Sequence, residues 1–322
     1  MNKQPEIIKE LLDNSPITFL DVGSSGGITD LPGLAKYTNV IGFEPNKDEF
    51  EKLQNEITTR HYLHKRGVRK LPKFKNKKFL PYALFKSNGS EILYVTKSQG
   101  TTSILKPNFE FLNTLKLTSW IEGYKIISEQ QVQTISLDQV IKKYELEHID
   151  FLKLDTQGSE YDILNVSQLN KKMISIIKTE AEVVSLYERQ GLLHDISKLL
   201  YDNGFSLIDL QLKPLRHLNQ HFPYSKYRLG WTDAIFIQDN IEIQKNEFHF
   251  VKQALILAEL GFVDLCGHLL KRVSIITEKD KNQLLTYYGD YPNVKLRQKI
   301  FMKGLKAIKN NFWIKKIVSP LR

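Results

Sequence analysis

The stretch ITFLDVGSSGG, residues 17–27, decides the fold. Its run from Ile17 to Val22 is interrupted only by Thr18 and Asp21, and it passes straight into Gly23, Ser24, Ser25, Gly26 and Gly27. A run of that length, rich in β-branched and aromatic residues, reads as a buried strand. A strand that empties into glycine reads as the first βα loop of a parallel α/β sheet. Ligands of such sheets sit beyond the carboxyl ends of the strands, at the topological switch point, and glycine lets the backbone come close to them.

Outward from this strand, apolar runs and helical patterns alternate, as a βαβ architecture requires. NVIGFE (39–44) is the second strand; KKFLPYALF (77–85) and SEILYVT (90–96) flank the turn signal KSNGS. HIDFLKLD (148–155) leads into a helix near 159–166, ISIIKTE (174–180) follows, and HDISKLLYDNG (194–204) is a helix stopped by Gly204. FSLIDLQL (205–212) and WTDAIFIQ (231–238) form a terminal strand pair. Residues 60–78 are dense in Lys, Arg and His and read as a solvated excursion.

After about residue 244 the pattern turns helical. FHFVKQALILAEL ends at Gly261 and FVDLCGHLLKRV follows, as in an αα-hairpin. In the last stretch Phe301, Leu305, Ile308 and Phe312 share one stripe, with Lys303, Lys306 and Lys309 off it. That stripe, with Trp313 beside it, either packs on the hairpin or lies in a membrane surface. The chain therefore divides into a catalytic domain, 1–243, and a helical extension, 244–322.

Composition sets the outer limits. With 322 residues, 41% hydrophobic and 25% charged, the chain has the make-up of a globular protein. A net charge of +10 favours an acidic partner: nucleic acid, an anionic membrane face or an acidic glycan. The single cysteine, Cys266, cannot close an internal disulfide, and acidic residues interrupt the N-terminal stretch where a leader needs an apolar core. The expectation is a cytoplasmic protein, peripheral at the inner membrane face if the C-terminal stripe meets lipid.

The loop chemistry narrows the ligand. A dinucleotide site uses G-x-G-x-x-G, whereas Gly23, Gly26 and Gly27 are spaced otherwise. A carboxylate at Asp21 would also repel a pyrophosphate. S-adenosylmethionine (SAM) carries an ammonium and a sulfonium instead, which suits a carboxylate beside glycines. Glu44, at the end of the second strand in FEPN, stands where an acid accepts hydrogen bonds from both ribose hydroxyls. The cofactor set is then Asp21, Gly23, Ser24, Gly26, Glu44, Pro45 and Asn46. A non-binding α/β domain with a tight first turn is the plainer alternative.

Several blocks together resemble the FkbM-type SAM-dependent methyltransferases: DVGSSGGI with GFEPN, FLPYALFKSNGSEILYVT with GTTSILKPN, VQTISLDQV, HIDFLKLDTQGSEYDILN, TEAEVVSLYERQ, NGFSLIDL and WTDAIFIQ. They run in order from 17 to 238. The resemblance implies a Rossmann-like SAM-methyltransferase fold: a mostly parallel α/β sheet with an antiparallel terminal strand, here with a C-terminal helical appendage. It also implies methyl transfer, with Asp155 at the end of the fourth strand beside the cofactor's methyl. Arg189 stands where the family pattern suggests a small or acidic residue.

On this reading Asp155, Glu180, Tyr187 and Gln190 are the catalytic candidates, and Ser103 and Asp155 join the cofactor set. Asp155 and Glu180, hard oxygen ligands at adjacent strand ends, are the pair that would hold a divalent metal such as Mg2+ if one takes part. The plainer reading has Asp155 bonding substrate or backbone and Glu160 capping its helix. Tyr187 either lines an acceptor pocket or is a half-buried aromatic with its hydroxyl at the surface. Thr101, Thr102 and Ser103 either cover the cofactor or make a polar turn. His194 reads as a helix-surface histidine.

The leading functional expectation is O-methylation of a sugar hydroxyl in a glycan or glycolipid. Contact with a membrane or a glycosyltransferase would run through the basic C-terminal helices. The alternatives are a nucleic-acid methyltransferase and a non-catalytic SAM-fold subunit of a glycan-assembly complex. DTQG after the fourth strand is not the asparagine-proline-proline-aromatic block of base N-methylation, so nucleic acid is the less favoured partner.

Overall fold

A computed structural model describes residues 4–57, 70–115, 118–165, 173–217, 226–239 and 247–291. The chain forms two compact units, Pro16–Glu242 and a second that joins Met1–Ser15 to Ile243–Arg322.

In the larger unit the strands are β1 (Ile17–Val22), β2 (Thr38–Phe43), β3 (Asn76–Leu80), β4 (Ala83–Leu84), β5 (Gly89–Thr96), β6 (Ile126–Ile135), β7 (Ile149–Leu154), β8 (Ile174–Glu182), β9 (Phe205–Leu215) and β10 (Arg228–Gln238). Seven make one sheet in the order β3-β2-β1-β7-β8-β10-β9. Neighbours from β3 to β8 pair parallel, and β10 runs antiparallel to both β8 and β9. This is the Rossmann-like order with the antiparallel strand that the sequence predicts. The order reverses between β1 and β7, which makes the crevice beyond their carboxyl ends the switch point.

Alternation along the strands sorts the two faces. Leu20, Val22, Leu152, Leu154 and Ile177 face a core shared with the helices Leu137–Lys143, Glu160–Asn165 and Leu193–Tyr201. On the other face Phe19 meets Phe151 at 4.9 Å between ring centroids. One step further along that face, Asp21 of β1 lies level with Lys153 of β7, and Lys153 with Lys178 of β8. Lys178 pairs with Asp30 at 2.5 Å.

The segment 77–85, which reads as one strand, is two. Pro81, with its fixed φ and no N–H, separates β3 in the large sheet from β4 in a small sheet of order β4-β6-β5. β6 escapes the sequence reading because its first half, mostly exposed, lacks an apolar face. Of the basic excursion, residues 60–69 lie outside the described residues.

The second unit contains helices Glu6–Asn14, Glu247–Glu259, Val263–Leu270 and Glu278–Gly289. The hairpin turn at Gly261 is left-handed, φ +98, which glycine adopts at little cost. Glu247 accepts from Ser274 N, Ser274 Oγ and Ile275 N, closing the next turn. The stripe Phe301, Leu305, Ile308 and Phe312, with Trp313, lies outside the described residues. No described helix is long and apolar enough to cross a membrane.

Candidate active site

The loop after β1 is packed against the end of β7. Gly23 has φ +83, and a Cβ there would sit 2.0 Å from Asp155 O, so only glycine fits. The Gly23 and Ser24 amides both donate to Phe43 O, at 3.1 and 3.0 Å. Between this loop and β2 the only helical piece is a 3-10 turn, Ala35–Tyr37. No α-helix therefore opens directly from the loop, and the first βα unit lacks the helix dipole that a dinucleotide's pyrophosphate uses.

Asp21 is 1% exposed and its charge is answered within the protein. Ser24 Oγ donates to Asp21 Oδ2 at 2.6 Å. Lys153 Nζ, 3.1 Å from Asp21 Oδ1, forms an ion pair off the hydrogen-bond line. The same ammonium donates to Gly23 O at 3.3 Å and lies 3.5 Å from Asp155 Oδ2. Burial pushes the Asp21 carboxyl up, and Lys153 and Ser24 hold it back. The sequence reading missed Lys153. The signal was there in register: Asp21 and Lys153 are both next to last in adjacent parallel strands, which sets them side by side on one face.

Glu44 lies just past β2, 5% exposed. Its Oε1 accepts from Asn46 N at 2.9 Å, the one hydrogen bond its side chain makes among the described residues. Asn46 is committed elsewhere: its Oδ1 caps the helix Lys47–Gln54, accepting from Asp48 N and Glu49 N. Burial pushes the Glu44 carboxyl up to about 7; the Asn46 amide opposes this, and the charges of Glu49 and Asp21 add to it.

A carboxyl with a raised folded pKa binds its proton more tightly in the folded chain than in the unfolded one. Glu44 therefore makes folding less favourable as pH climbs from about 4.5 to about 7, and adds no further change above that. Glu44→Gln, neutral throughout, is expected to gain on the wild type by about 3 kcal/mol between about pH 4.5 and pH 8. Urea titrations at both pH values check this; a constant difference would refute it.

Beyond β7 the segment Asp155–Ser159 turns tightly. Gln157 (φ +61) and Gly158 (φ +109) are both left-handed. Glu160, 1% exposed, reaches back to accept from Thr156 N at 2.6 Å, Thr156 Oγ1 at 2.9 Å and Gly158 N at 2.9 Å. It clamps this loop instead of facing a ligand. Gln157 joins the candidates: its Nε2 donates to Asp155 Oδ1 at 3.0 Å and to Glu180 Oε1 at 3.1 Å. Sequence reasoning found both acids and missed the amide between them.

Burial, followed by the charges of Asp155, Glu182, Glu160 and Asp233, holds the Glu180 carboxyl well above the usual carboxylate range. Glu182 is fully buried, likewise raised by burial, and neither of its oxygens closes a hydrogen bond.

Tyr187 is fully buried, with its hydroxyl 3.1 Å from both Thr101 O and Gln157 Oε1. It neither opens to a pocket nor reaches the surface. Gln190 Oε1 accepts from Tyr187 N at 2.6 Å, while its Nε2 is buried without a partner. Thr101 and Thr102 bond within their own turn, and Thr101 Oγ1 also lies 3.0 Å from Gly123 O. Ser103 Oγ reaches Thr156 O at 3.4 Å, tying the small sheet to the β7 loop. Arg189 is left-handed, φ +57, a conformation a smaller residue would hold with less strain. His194 is 76% exposed on its helix.

An aromatic wall borders the acids. Trp231 of β10 is level with Glu182, and Asp233 with Glu180. Trp120 stacks on Trp231 at 5.5 Å and meets Tyr124, whose ring in turn meets Tyr187 at 5.7 Å.

Residues 27–207 match the family described as the methyltransferase FkbM domain. β1, most of the glycine loop and β10 fall outside that span. No curated protein sequence matches the chain. Among solved structures, magnesium protoporphyrin IX methyltransferase from Synechocystis PCC 6803 with bound SAM is 12% identical, at a TM-score of 0.28 over 71% of this chain and 76% of that one. The StiE O-MT is 7% identical, at a TM-score of 0.33 over 84% of this chain and 81% of that one. Strand order, not these distant likenesses, fixes the fold.

Proposed function

The chain belongs to the FkbM-domain methyltransferases, and from that premise we propose that it is a SAM-dependent O-methyltransferase acting on a sugar hydroxyl of a glycan or glycolipid. The observation that carries the reading is the meeting of two carboxylates, Asp155 and Glu180, between a phosphate-averse glycine loop and an aromatic wall.

The crevice beyond β1 and β2 suits SAM on two counts. No α-helix opens directly from its loop to call for phosphate, and among the described residues Glu44 Oε2 makes no hydrogen bond while Oε1 is held by Asn46. In this reading Glu44 accepts the ribose hydroxyls on Oε2, and Pro45 and Asn46 shape the turn beneath. Lys153 lies between Asp21 and Asp155, and in this reading Asp155, whose side chain is 21% exposed, is the more open of the two to the donor's positive charge.

SAM supplies a methyl group on a cationic sulfur. The acceptor oxygen bonds to the methyl carbon as the carbon–sulfur bond breaks; that electron pair goes to sulfur, leaving a neutral thioether, and the hydroxyl proton passes to a base. Glu180, with its raised proton affinity, is matched to that proton. Trp120 and Trp231, both partly buried, offer ring faces beside carboxylates, the combination that recognises sugars.

Purified protein incubated with methyl-labelled SAM and separate glycan, RNA and small-alcohol fractions tests the proposal. Label in the glycan fraction is the expected result, and label in RNA alone would overturn it. Glu44→Ala is expected to weaken SAM binding by about 10- to 100-fold, since hydrogen bonds to one charged oxygen are lost; calorimetry showing unchanged affinity would remove Glu44 from the site.

A further inference from the structure

We propose that Gln157 is a positioning residue whose amide nitrogen stands where a divalent ion would stand between Asp155 and Glu180, so that methyl transfer at this site runs without a metal. The inference rests on the reading of these two acids as the acceptor-side pair, and goes beyond it.

Two hard oxygen ligands at adjacent strand ends are the beginning of a magnesium-type site. The gap between Asp155 Oδ1 and Glu180 Oε1 is bridged by one nitrogen, 3.0 Å from the first and 3.1 Å from the second. A primary amide carries two hydrogens, and each carboxylate receives one. The bridge does part of what a cation does: it turns the positive end of its dipole to both acids and sets their spacing.

The amide cannot simply turn over. Tyr187, fully buried, has one hydroxyl proton and two acceptors at 3.1 Å, Thr101 O and Gln157 Oε1, so it does not by itself fix the amide. The acids fix it: an ionised carboxylate only accepts, so the nitrogen faces Asp155 and Glu180, and a reversed amide would set its carbonyl against both. The backbone is held as well. Gln157 is left-handed at φ +61, a conformation that costs a long side chain free energy and persists where the surroundings impose it. Glu160 imposes it here by gripping the amides of Thr156 and Gly158 on either side.

A metal at this point would have to expel the amide and find further ligands. Glu182, the nearest additional acid along β8, is not gathered with the pair: among the described residues no three acids here bring ligand atoms close enough for a metal site. Replacing the amide by a carboxylate would complete such a set, because affinity for hard cations rises with the number of charged ligands.

The experiment is a Mn2+ titration of the full-length protein, followed by the electron paramagnetic resonance signal of the free ion. Wild type is expected to take up no Mn2+ that depends on Asp155 or Glu180. Gln157→Glu is expected to bind one equivalent, and to lose it again when Glu180→Gln is added. Gln157→Ala, which only removes atoms, is expected to move the acidic limb of the kcat/KM pH profile upward by about one pH unit, because two like charges lose their shared donor. Chelators are expected to leave wild-type turnover unchanged.

Mn2+ uptake by wild type that vanishes in Asp155→Asn or Glu180→Gln would overturn the proposal. So would a folded Gln157→Glu protein that binds no Mn2+. Should Gln157→Glu not fold, the wild-type titration and the Gln157→Ala profile decide. The Mn2+ result is independent of turnover, so the absence of methyl transfer would defeat the functional reading without touching the role of the amide.

Discussion

Glu180→Gln is expected to lower turnover by about 10²- to 10⁴-fold, the range a positioned general base supplies, while SAM affinity stays within a few-fold. The substitution is conservative in the site: a glutamine carbonyl can still accept from Gln157 Nε2, as Glu180 Oε1 does at 3.1 Å. What is lost is the capacity to take a proton. Burial and the neighbouring acids raise Glu180's proton affinity, so the wild-type rate should fall at acidic pH along a limb lying above the ordinary carboxylate range. That limb should be absent from the variant.

Asp155→Asn is expected to behave differently, weakening SAM binding as well as turnover, because in the proposed reading its carboxylate faces the donor's cation. The two variants are separated by calorimetry with SAM and by single-turnover rates. Near-normal turnover in Glu180→Gln together with a large loss in Asp155→Asn would move the base to Asp155.

Lys153→Met is expected to destabilise the fold by about 3–5 kcal/mol, the usual effect of removing one partner of a buried ion pair. In a unit of this size that is a loss of roughly 10 °C in Tm. Asp21 is 1% exposed, and Lys153 is the cation beside it. Without it, a desolvated carboxylate must stay charged unaided or take up a proton. The chain of contacts from Asp21 through Lys153 to Asp155 also links the first loop to the acceptor-side acids, so the loss should spread to both. Adding Asp21→Asn is expected to restore most of the stability, since the variant then buries no unpaired charge. A single variant as stable as wild type, or a double variant no better than the single, would show that the pair is not coupled.

Much of this protein was legible in its residues. The glycine loop, the acid closing the second strand and the turn after β7 are local features: apolar runs mark strands, and glycines mark positive φ or close approach. The order of the blocks then carried the sheet.

What tertiary structure alone decided lies between elements distant in sequence. Asp21 looked available for a cationic ligand until the register of β1 against β7 set Lys153 beside it. Asp155 and Glu180 read as acids at adjacent strand ends that could hold a metal if one took part; only the folded chain carries the Gln157 amide between them on a left-handed turn. Tyr187 read either as pocket lining or as a half-buried aromatic with a surface hydroxyl, and the fold instead closes that hydroxyl on Thr101 and Gln157. Each of these turns on which side chains from separate strands reach one another. Local pattern fixes where a charge is placed along its strand; only the packing of strands and loops fixes what that charge meets.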